Sequence, residues 1–410
     1  MTSAVRSAPA GAAAASSKPR IWLVLGDKVG DNRQVERVAE ALAEELGESF
    51  ELRSLRFRKR WQTGKPPFLP ALYHVDMRRS DSLLPPWPDL VLTIGRRPAM
   101  AALWIRRRSG NRTRIVLFGR PKRFFDDFAL VVAPAQYGLP ERDSVVRLGL
   151  PLIRLDPARV AEEAERWRER LADLPRPLTV LLVGGRTKPY RMDADVAREI
   201  VATTLAGMPP GGGLFVSTSR RTPAAVVEAL REALPPGARL HGFAAAEPGS
   251  SDDNPYLGLL GLGDRFVVTG DSVSMLTEIA RLRRPLVIHA LPREASAAGR
   301  WQDALRAPGA GRLRSALAST LASAAAWLRE QGLVGWPRDL EALHALLVAR
   351  GWARRAGAAE ATSAAPSTAP PAGPSVARGA DATPEDEIDL VVQRIRALLI
   401  APTPSGRDAT

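Results

Sequence analysis

The stretch that most constrains this chain runs from Asn254 to Leu291, NPYLGLLGLGDRFVVTGDSVSMLTEIARLRRPLVIHAL. Arg265 to Thr269 is a short apolar, β-branched run, and Gly270-Asp271-Ser272 is a turn. Val273 to Arg283 then carries apolar residues at helical spacing before Pro285 and a second apolar run, Leu286 to His289. The order is strand, turn, helix, strand. In a parallel α/β sheet such a turn lies at the carboxyl end of its strand and opens a helix N-terminus, whose free N–H groups and dipole favour an anion such as a diphosphate. Ser272 or Asp271 is placed to cap that helix. At about 100° per residue, Val273, Met275, Leu276, Ile279, Ala280 and Leu282 cover one arc, and Ser274, Thr277, Glu278 and Arg281 the other. Glu278 then stands near the mouth of the turn, just off the buried edge. A carboxylate there could accept both hydroxyls of a ribose whose phosphates sit on the turn.

Two further loops hold equivalent places. Leu178 to Val183 is an apolar strand, followed by Gly184-Gly185-Arg186-Thr187-Lys188 and a helix from Asp193 to Leu205. Gly-Gly after a strand, with Arg186 and Lys188 close by, suits phosphate binding by backbone N–H groups. It lacks the Walker spacing, which argues against a P-loop kinase, and a tight turn is the plain alternative. Leu214 to Thr218 is a strand leading into Ser219-Arg220-Arg221-Thr222-Pro223, and Pro223 suits the first turn of a helix from Ala224 to Leu234. Arg220 and Arg221 are poised there for forked hydrogen bonds to phosphate, with surface ion pairing as the alternative. In a doubly wound sheet these loops converge, which favours the phosphate role. Arg239 to Phe243 reads as the next strand.

The N-terminal half repeats the theme. Ile21 to Leu25 is a buried-type strand, Gly26-Asp27-Lys28-Val29-Gly30-Asp31-Asn32-Arg33-Gln34 reads as a loop, and Val35 to Leu46 has a helical apolar stripe. The glycine spacing is not a dinucleotide fingerprint, which disfavours a nicotinamide oxidoreductase. Gly26, Gly30, Asn32 and Gln34 could let backbone approach a sugar or the scissile diphosphate in an interdomain cleft. Phe50 to Leu55, Leu90 to Ile94, Ile115 to Phe118 and Leu130 to Ala133 are further strands. The first domain is expected over 20–157 and the second over 175–300. A charged helix, Ala158 to Leu174, and Pro175-Arg176-Pro177 form the hinge between them.

Composition narrows the partners. The 410 residues are 45% apolar, enough for two cores, and 58 Lys+Arg against 44 Asp+Glu leave a formal charge of +14, which points to an anionic partner. The basic, aromatic and proline-broken segment from Arg56 to Tyr73 suits an amphiphilic acceptor or peripheral contact with an anionic membrane. No run reaches the roughly 18 apolar residues that span a bilayer. The expected location is cytoplasmic, at the inner face of the cytoplasmic membrane where such contact occurs. Nucleic acid is disfavoured, because no recognition motif accompanies the basic residues. Cysteine is absent, and His74, His241, His289 and His344 lack metal-ligand spacing. Asp252-Asp253 is not an Asp-x-Asp motif, so neither metal nor cofactor is expected.

Residues 1–19 read as a disordered leader. After Leu291 a helical extension occupies 301–352, with helices at Leu317–Arg329 and Leu340–Ala349. An Ala/Pro/Gly/Ser-rich linker occupies 353–383. An amphipathic helix over 385–400 is expected to dock back on the first domain.

The apolar strand, Asp-Ser turn, Ser-Met and Thr-Glu-Ile-Ala, then Arg-Pro and another strand resemble the donor-nucleotide site of GT-B glycosyltransferases. Gly26-Asp27 with Gly30-Asp31-Asn32-Arg33-Gln34, Ser217-Thr-Ser-Arg-Arg-Thr-Pro223 and Asn254-Pro255-Tyr256-Leu257 resemble the elongated-mitochondria (mitochondrial fission) family and its bacterial relatives, regarded as glycosyltransferases. The resemblance implies a GT-B-like fold, two Rossmann-like doubly wound α/β domains facing a cleft, with Glu278 in the ribose-binding role. It also implies a metal-independent transfer of sugar from a nucleoside-diphosphate sugar to a cell-envelope or lipid-linked acceptor. Arg220, Arg221 and the helix start at Ser272, Val273, Ser274 and Met275 would stabilise the departing diphosphate, and Asp27 or Asp31 would serve as base. A sugar-nucleotide epimerase and a non-catalytic fission-type scaffold are the alternatives.

Overall fold

The computed structural model describes residues 18–47, 49–62, 69–121, 123–153, 155–243, 254–294, 323–324, 327–328, 339–357 and 384–400. Asp252-Asp253, residues 1–17 of the expected 1–19 leader, 358–383 of the expected 353–383 linker and most of 301–338 within the expected 301–352 extension lie outside these residues.

Two six-stranded parallel sheets carry the architecture, which is the doubly wound α/β class expected. The first contains β1 (Ile21–Leu25), β2 (Phe50–Ser54), β3 (Leu90–Ile94), β4 (Arg114–Phe118), β5 (Leu130–Pro134) and β6 (Val145–Leu148), in the order β2-β1-β3-β4-β5-β6. The second contains β7 (Leu178–Val183), β8 (Gly213–Thr218), β9 (Arg239–His241), β10 (Arg265–Thr269), β11 (Leu286–His289) and β12 (Arg354–Arg355), in the order β12-β11-β10-β7-β8-β9. Strands β1, β3 and β7 are buried along their whole length, as continuous apolar runs covered on both faces must be. The edge strand β2 is mixed polar and apolar, with two residues exposed and three half-buried. In each sheet the chain builds outward on one side of its first strand and then crosses to the other. The β1/β3 and β7/β10 boundaries are therefore the switch points, where crevices open at the carboxyl ends of strands.

The helices are α1 (Val29–Leu46), α2 (Lys59–Gln62), α3 (Arg96–Arg108), α4 (Pro157–Arg168), α5 (Ala194–Ala206), α6 (Ala224–Ala233), α7 (Tyr256–Leu262), α8 (Val273–Arg281), α9 (Leu340–Ala349) and α10 (Pro384–Ile400). Helix α1 starts six residues before the expected Val35 and takes Gly30, Asp31, Asn32 and Gln34 out of the loop. Its first turn is closed by the Asn32 N–H donating to Lys28 O at 3.0 Å, while the Asn32 side chain donates to Gly26 O at 2.8 Å. Asp156 caps α4 and Asp193 caps α5, each accepting a backbone N–H of the first turn. Helix α7 lies close on α4: a Cβ on Gly258 would come within 2.7 Å of Trp167, and one on Gly261 within 2.6 Å of Ala164. Those two glycines, one helical turn apart, fix where Tyr256 stands.

By internal contacts the chain divides into two compact units, with the main division inside the first sheet between β4 and β5 and another at Val391/Val392. Helix α10 has the apolar stripe Ile388, Val391, Val392, Ile395, Leu398 and Leu399 that its periodicity predicts, of which the first four are buried and Leu398 and Leu399 half-buried. In the second unit the Gly149 N–H donates to the Glu387 carboxylate at 2.6 Å, and Arg281 lies 3.8 Å from that carboxylate.

Candidate functional site

The loops after β7, β8 and β10 interlock at the carboxyl edge of the second sheet. The Gly184 N–H donates to Thr269 Oγ1 at 2.8 Å, and Thr269 donates in turn to Asp271 Oδ1 at 2.8 Å. Asp271 Oδ2 accepts the Gly185 N–H at 2.9 Å and the Thr187 hydroxyl at 3.4 Å, and Arg221 donates to Thr187 at 2.8 Å. The Thr222 hydroxyl donates to Gly184 O, and its oxygen accepts the Ser219 N–H at 2.9 Å. The approach is so close that a Cβ on Gly184 would overlap the Asp271 carboxylate, and one on Gly185 would overlap the Arg221 backbone. Both glycines are required by space.

This network corrects two expectations. The Gly184 and Gly185 N–H groups, read as phosphate donors, are engaged by Thr269 and Asp271. Asp271 does not cap α8, because its carboxylate turns to the β7 loop. Ser272 makes no side-chain cap either, so the α8 N-terminus at Val273, Ser274 and Met275 carries none. The first N–H groups of a helix have no partner within it, so this end keeps its positive potential. Asp271 is 1% exposed, and burial raises its pKa against the lowering effect of the Gly185 and Thr269 donors and of Arg221. Ser274 is exposed and Met275 half-buried, as are the exposed Arg186, Lys188, Arg220 and Arg221 and the half-buried Ser219 on the neighbouring loops.

Glu278 lies farther along α8 and is half-buried. The Tyr256 hydroxyl, brought by α7, donates to its Oε2. Burial pushes the Glu278 carboxyl up while the Tyr256 bond opposes the shift, and burial with the adjacent carboxylate pushes the Tyr256 phenol well up. Thr277, placed by periodicity on the polar side of α8, is fully buried.

Beneath the turn lies a residue the sequence reading left unassigned. His344 of α9 is 0% exposed, and its Nε2 donates to Gly270 O at 2.8 Å. A Cβ on Gly270 would meet the His344 ring at 2.6 Å. Tyr256, Thr187, Thr222 and Thr269 are further partners that the sequence does not single out, although Tyr256 lies within Asn254-Pro255-Tyr256-Leu257.

In the first sheet, Asp27 follows β1 and lies 4.0 Å from Arg97, the second residue of α3. Gly26 is hemmed in, since a Cβ would stand 3.0 Å from Phe57 and 3.1 Å from Pro98. Gly30, Asp31, Asn32 and the half-buried Gln34 belong to the first two turns of α1. Among the described residues, no group of three or more His, Asp or Glu is placed to hold a metal ion. Among them also, no helix is long and apolar enough to cross a membrane.

The sequence profile described as Mitochondrial fission ELM1 matches residues 30–331. The chain belongs to the mitochondrial fission ELM1 family. Mitochondrial fission protein ELM1 of Arabidopsis thaliana is 28% identical over 223 residues, 49% of this chain and 51% of the plant protein. The chain thus spans about half the length of that relative. A second relative is the uncharacterized protein RP120 of Rickettsia prowazekii (strain Madrid E), 22% identical over 307 residues, 65% of this chain and 82% of RP120. Among solved structures, the UDP-GlcNAc 2-epimerase from Neisseria meningitidis bound to UDP-GlcNAc is similar over 80% of this chain and 98% of that one, with 11% identity and a TM-score of 0.39.

Proposed function

We propose that the β7/β10 switch point is the donor site of a metal-independent glycosyltransferase that takes a nucleoside-diphosphate sugar and passes the sugar to a cell-envelope or lipid-linked acceptor. The observation that carries this reading is the uncapped N-terminus of α8 beside Arg221, with the Tyr256-supported Glu278 on the same helix. A diphosphate on the first turn of α8 would meet helix N–H groups, with Arg220, Arg221, Arg186 and Lys188 nearby as cations. Its pentose hydroxyls would reach Glu278. Chemistry at the anomeric carbon then needs stabilisation of the leaving diphosphate, which those groups supply. It also needs a base for the acceptor hydroxyl, for which Asp27 and Asp31 are the candidates. The basic surface fits an anionic acceptor or peripheral contact with an anionic membrane.

A non-catalytic scaffold is the competing reading, and the engagement of the Gly184 and Gly185 N–H groups inside the protein favours it. Calorimetric titration with UDP, ADP, GDP, CDP and dTDP, followed by product analysis with the corresponding sugar nucleotides, separates the readings. Binding that Glu278→Ala abolishes supports the donor site. Conversion of a lone sugar nucleotide to its epimer would instead make the protein an epimerase, and no binding across the panel would leave the scaffold.

A further inference from the structure

Helix α9 holds both loops of the β7/β10 switch point from one side. His344 Nε2 meets Gly270 O at 2.8 Å, and because a carbonyl only accepts, that nitrogen carries the hydrogen. One turn earlier on α9, Glu341 accepts the Tyr190 hydroxyl at 3.3 Å, and Tyr190 belongs to the loop after β7. Glu341 is itself held by Arg355 of β12 at 3.1 Å and lies 3.5 Å from His344 Nδ1. The β7 loop is also tied at its far end, where the Arg191 N–H donates to Pro292 O at 2.8 Å and the Glu294 N–H to Pro189 O at 2.7 Å. The glycine at position 270 is required by the imidazole packed on it, since its backbone is not in the left-handed region.

We propose that α9, through His344 and Glu341, is a positioning element of the nucleotide site, fixing the Gly270-Asp271-Ser272 turn and the Tyr190 end of the β7 loop in the geometry that exposes the α8 N-terminus. The inference rests on the donor-site reading for its ligand but not for its mechanics. His344 and Glu341 lie beyond residues 30–331, so the family profile does not include them. The bracket comes from the C-terminal segment, and it acts through the backbone carbonyl of Gly270 and the phenol of Tyr190 and touches no ligand itself. A buried histidine that only fills the core as a rule also takes a hydrogen-bond partner, so the distinction lies in where the bond goes, here to the turn that opens α8. Here the imidazole both dictates the glycine and occupies its carbonyl. Burial holds the His344 ring below the usual histidine range, so it stays neutral at neutral pH and keeps Nε2–H for Gly270.

The test uses the full chain with His344→Ala, His344→Gln and Glu341→Gln, read by amide hydrogen exchange and by calorimetric titration with UDP or whichever nucleoside diphosphate the unaltered protein binds. His344→Ala is expected to speed exchange at residues 269–276 and to weaken nucleotide affinity about tenfold, the equivalent of about 1.4 kcal/mol. His344→Gln, which can still donate to Gly270 O, is expected to recover part of both effects. Glu341→Gln is expected to loosen residues 187–190 in particular. Unchanged exchange at 269–276 in His344→Ala would overturn the inference. So would faster exchange spread evenly over both sheets, which is the mark of a residue that only fills the core. Failure of the unaltered protein to bind any nucleotide would sink the donor-site reading instead, and the exchange arm would still decide whether α9 holds the turn.

Discussion

The buried carboxylate of Asp271 accepts the Gly185 N–H at 2.9 Å, so a side chain next to the expected phosphate turn organises the neighbouring loop. The same carboxylate accepts the Thr269 hydroxyl, which in turn accepts the Gly184 N–H. Asp271→Ala leaves at least the Gly185 N–H and the Thr269 hydroxyl without their partner. Each orphaned buried donor costs about 1–3 kcal/mol, so a loss of about 3 kcal/mol is expected, read as a lower urea midpoint at an unchanged slope. Asp271→Asn, which keeps one carbonyl acceptor, should lose less.

Gly185→Ala places a methyl group on the Arg221 backbone, which no side-chain rotation relieves. Forced overpacking of this kind costs about 1–3 kcal/mol. The variant should also disturb the Arg186 N–H to Arg221 O bond of 3.3 Å and release the β8–α6 loop to proteolysis. Unaltered stability and cleavage would show that the loops are not interlocked as described.

Tyr256→Phe and Glu278→Gln should move stability in opposite directions. Removing the phenol takes a donor from a half-buried carboxylate, a loss of about 1.5–3 kcal/mol for a bond to a charged group. Glu278 has a pKa above the usual carboxylate value, so the folded protein holds its proton to higher pH than the unfolded chain. Stability therefore falls as pH rises from the ordinary carboxylate value through the folded one. Glu278→Gln abolishes that decline and should raise the melting temperature at neutral pH while weakening nucleotide binding.

Buried histidines give the opposite slope. His74, His289 and His344 all have pKa values lowered chiefly by burial, opposed at His344 by the Gly270 bond and by Glu341, at His289 by Glu199, and at His74 by the bond to the Arg97 carbonyl, while the Arg97 charge adds to the lowering there. Their unfolded counterparts protonate first as pH falls below about 6.5, so stability is fully present above that value and is lost as pH falls through the folded values. His289 has no hydrogen-bond partner for either ring nitrogen among the described residues. His289→Leu should flatten part of the acid limb of a melting-temperature profile below about pH 6.5.

The sheet strands were legible because burial on both faces writes them as unbroken apolar runs. Leu178–Val183, Arg265–Thr269 and Leu286–His289 are found with the boundaries expected. The start of α1 was not legible, since Gly30, Asp31 and Asn32 are turn formers by local preference, and the bonds that close and hold the first turn, Asn32 N–H to Lys28 O and the Asn32 side chain to Gly26 O, appear only in the structure. Strand β6 carries Arg147 and was missed, while β12 is only Arg354–Arg355 and has no apolar signature. At the site, the sequence reading placed Gly184, Arg221 and Asp271 on adjoining loops but not the direction of the Asp271 carboxylate. Its partner Gly185 is 86 residues away in the chain, and His344 is 74 residues from Gly270. No local pattern encodes a contact over such separations.

The most direct measurement is a thermal-shift titration of the full chain with nucleoside diphosphates and their sugars, repeated on Glu278→Ala. At a ligand concentration a hundredfold above Kd, binding stabilises the native state by about 2.7 kcal/mol. The account predicts an upward shift of several degrees with at least one nucleotide, and its loss in Glu278→Ala. No shift across the panel, or an equal shift in the variant, would contradict it.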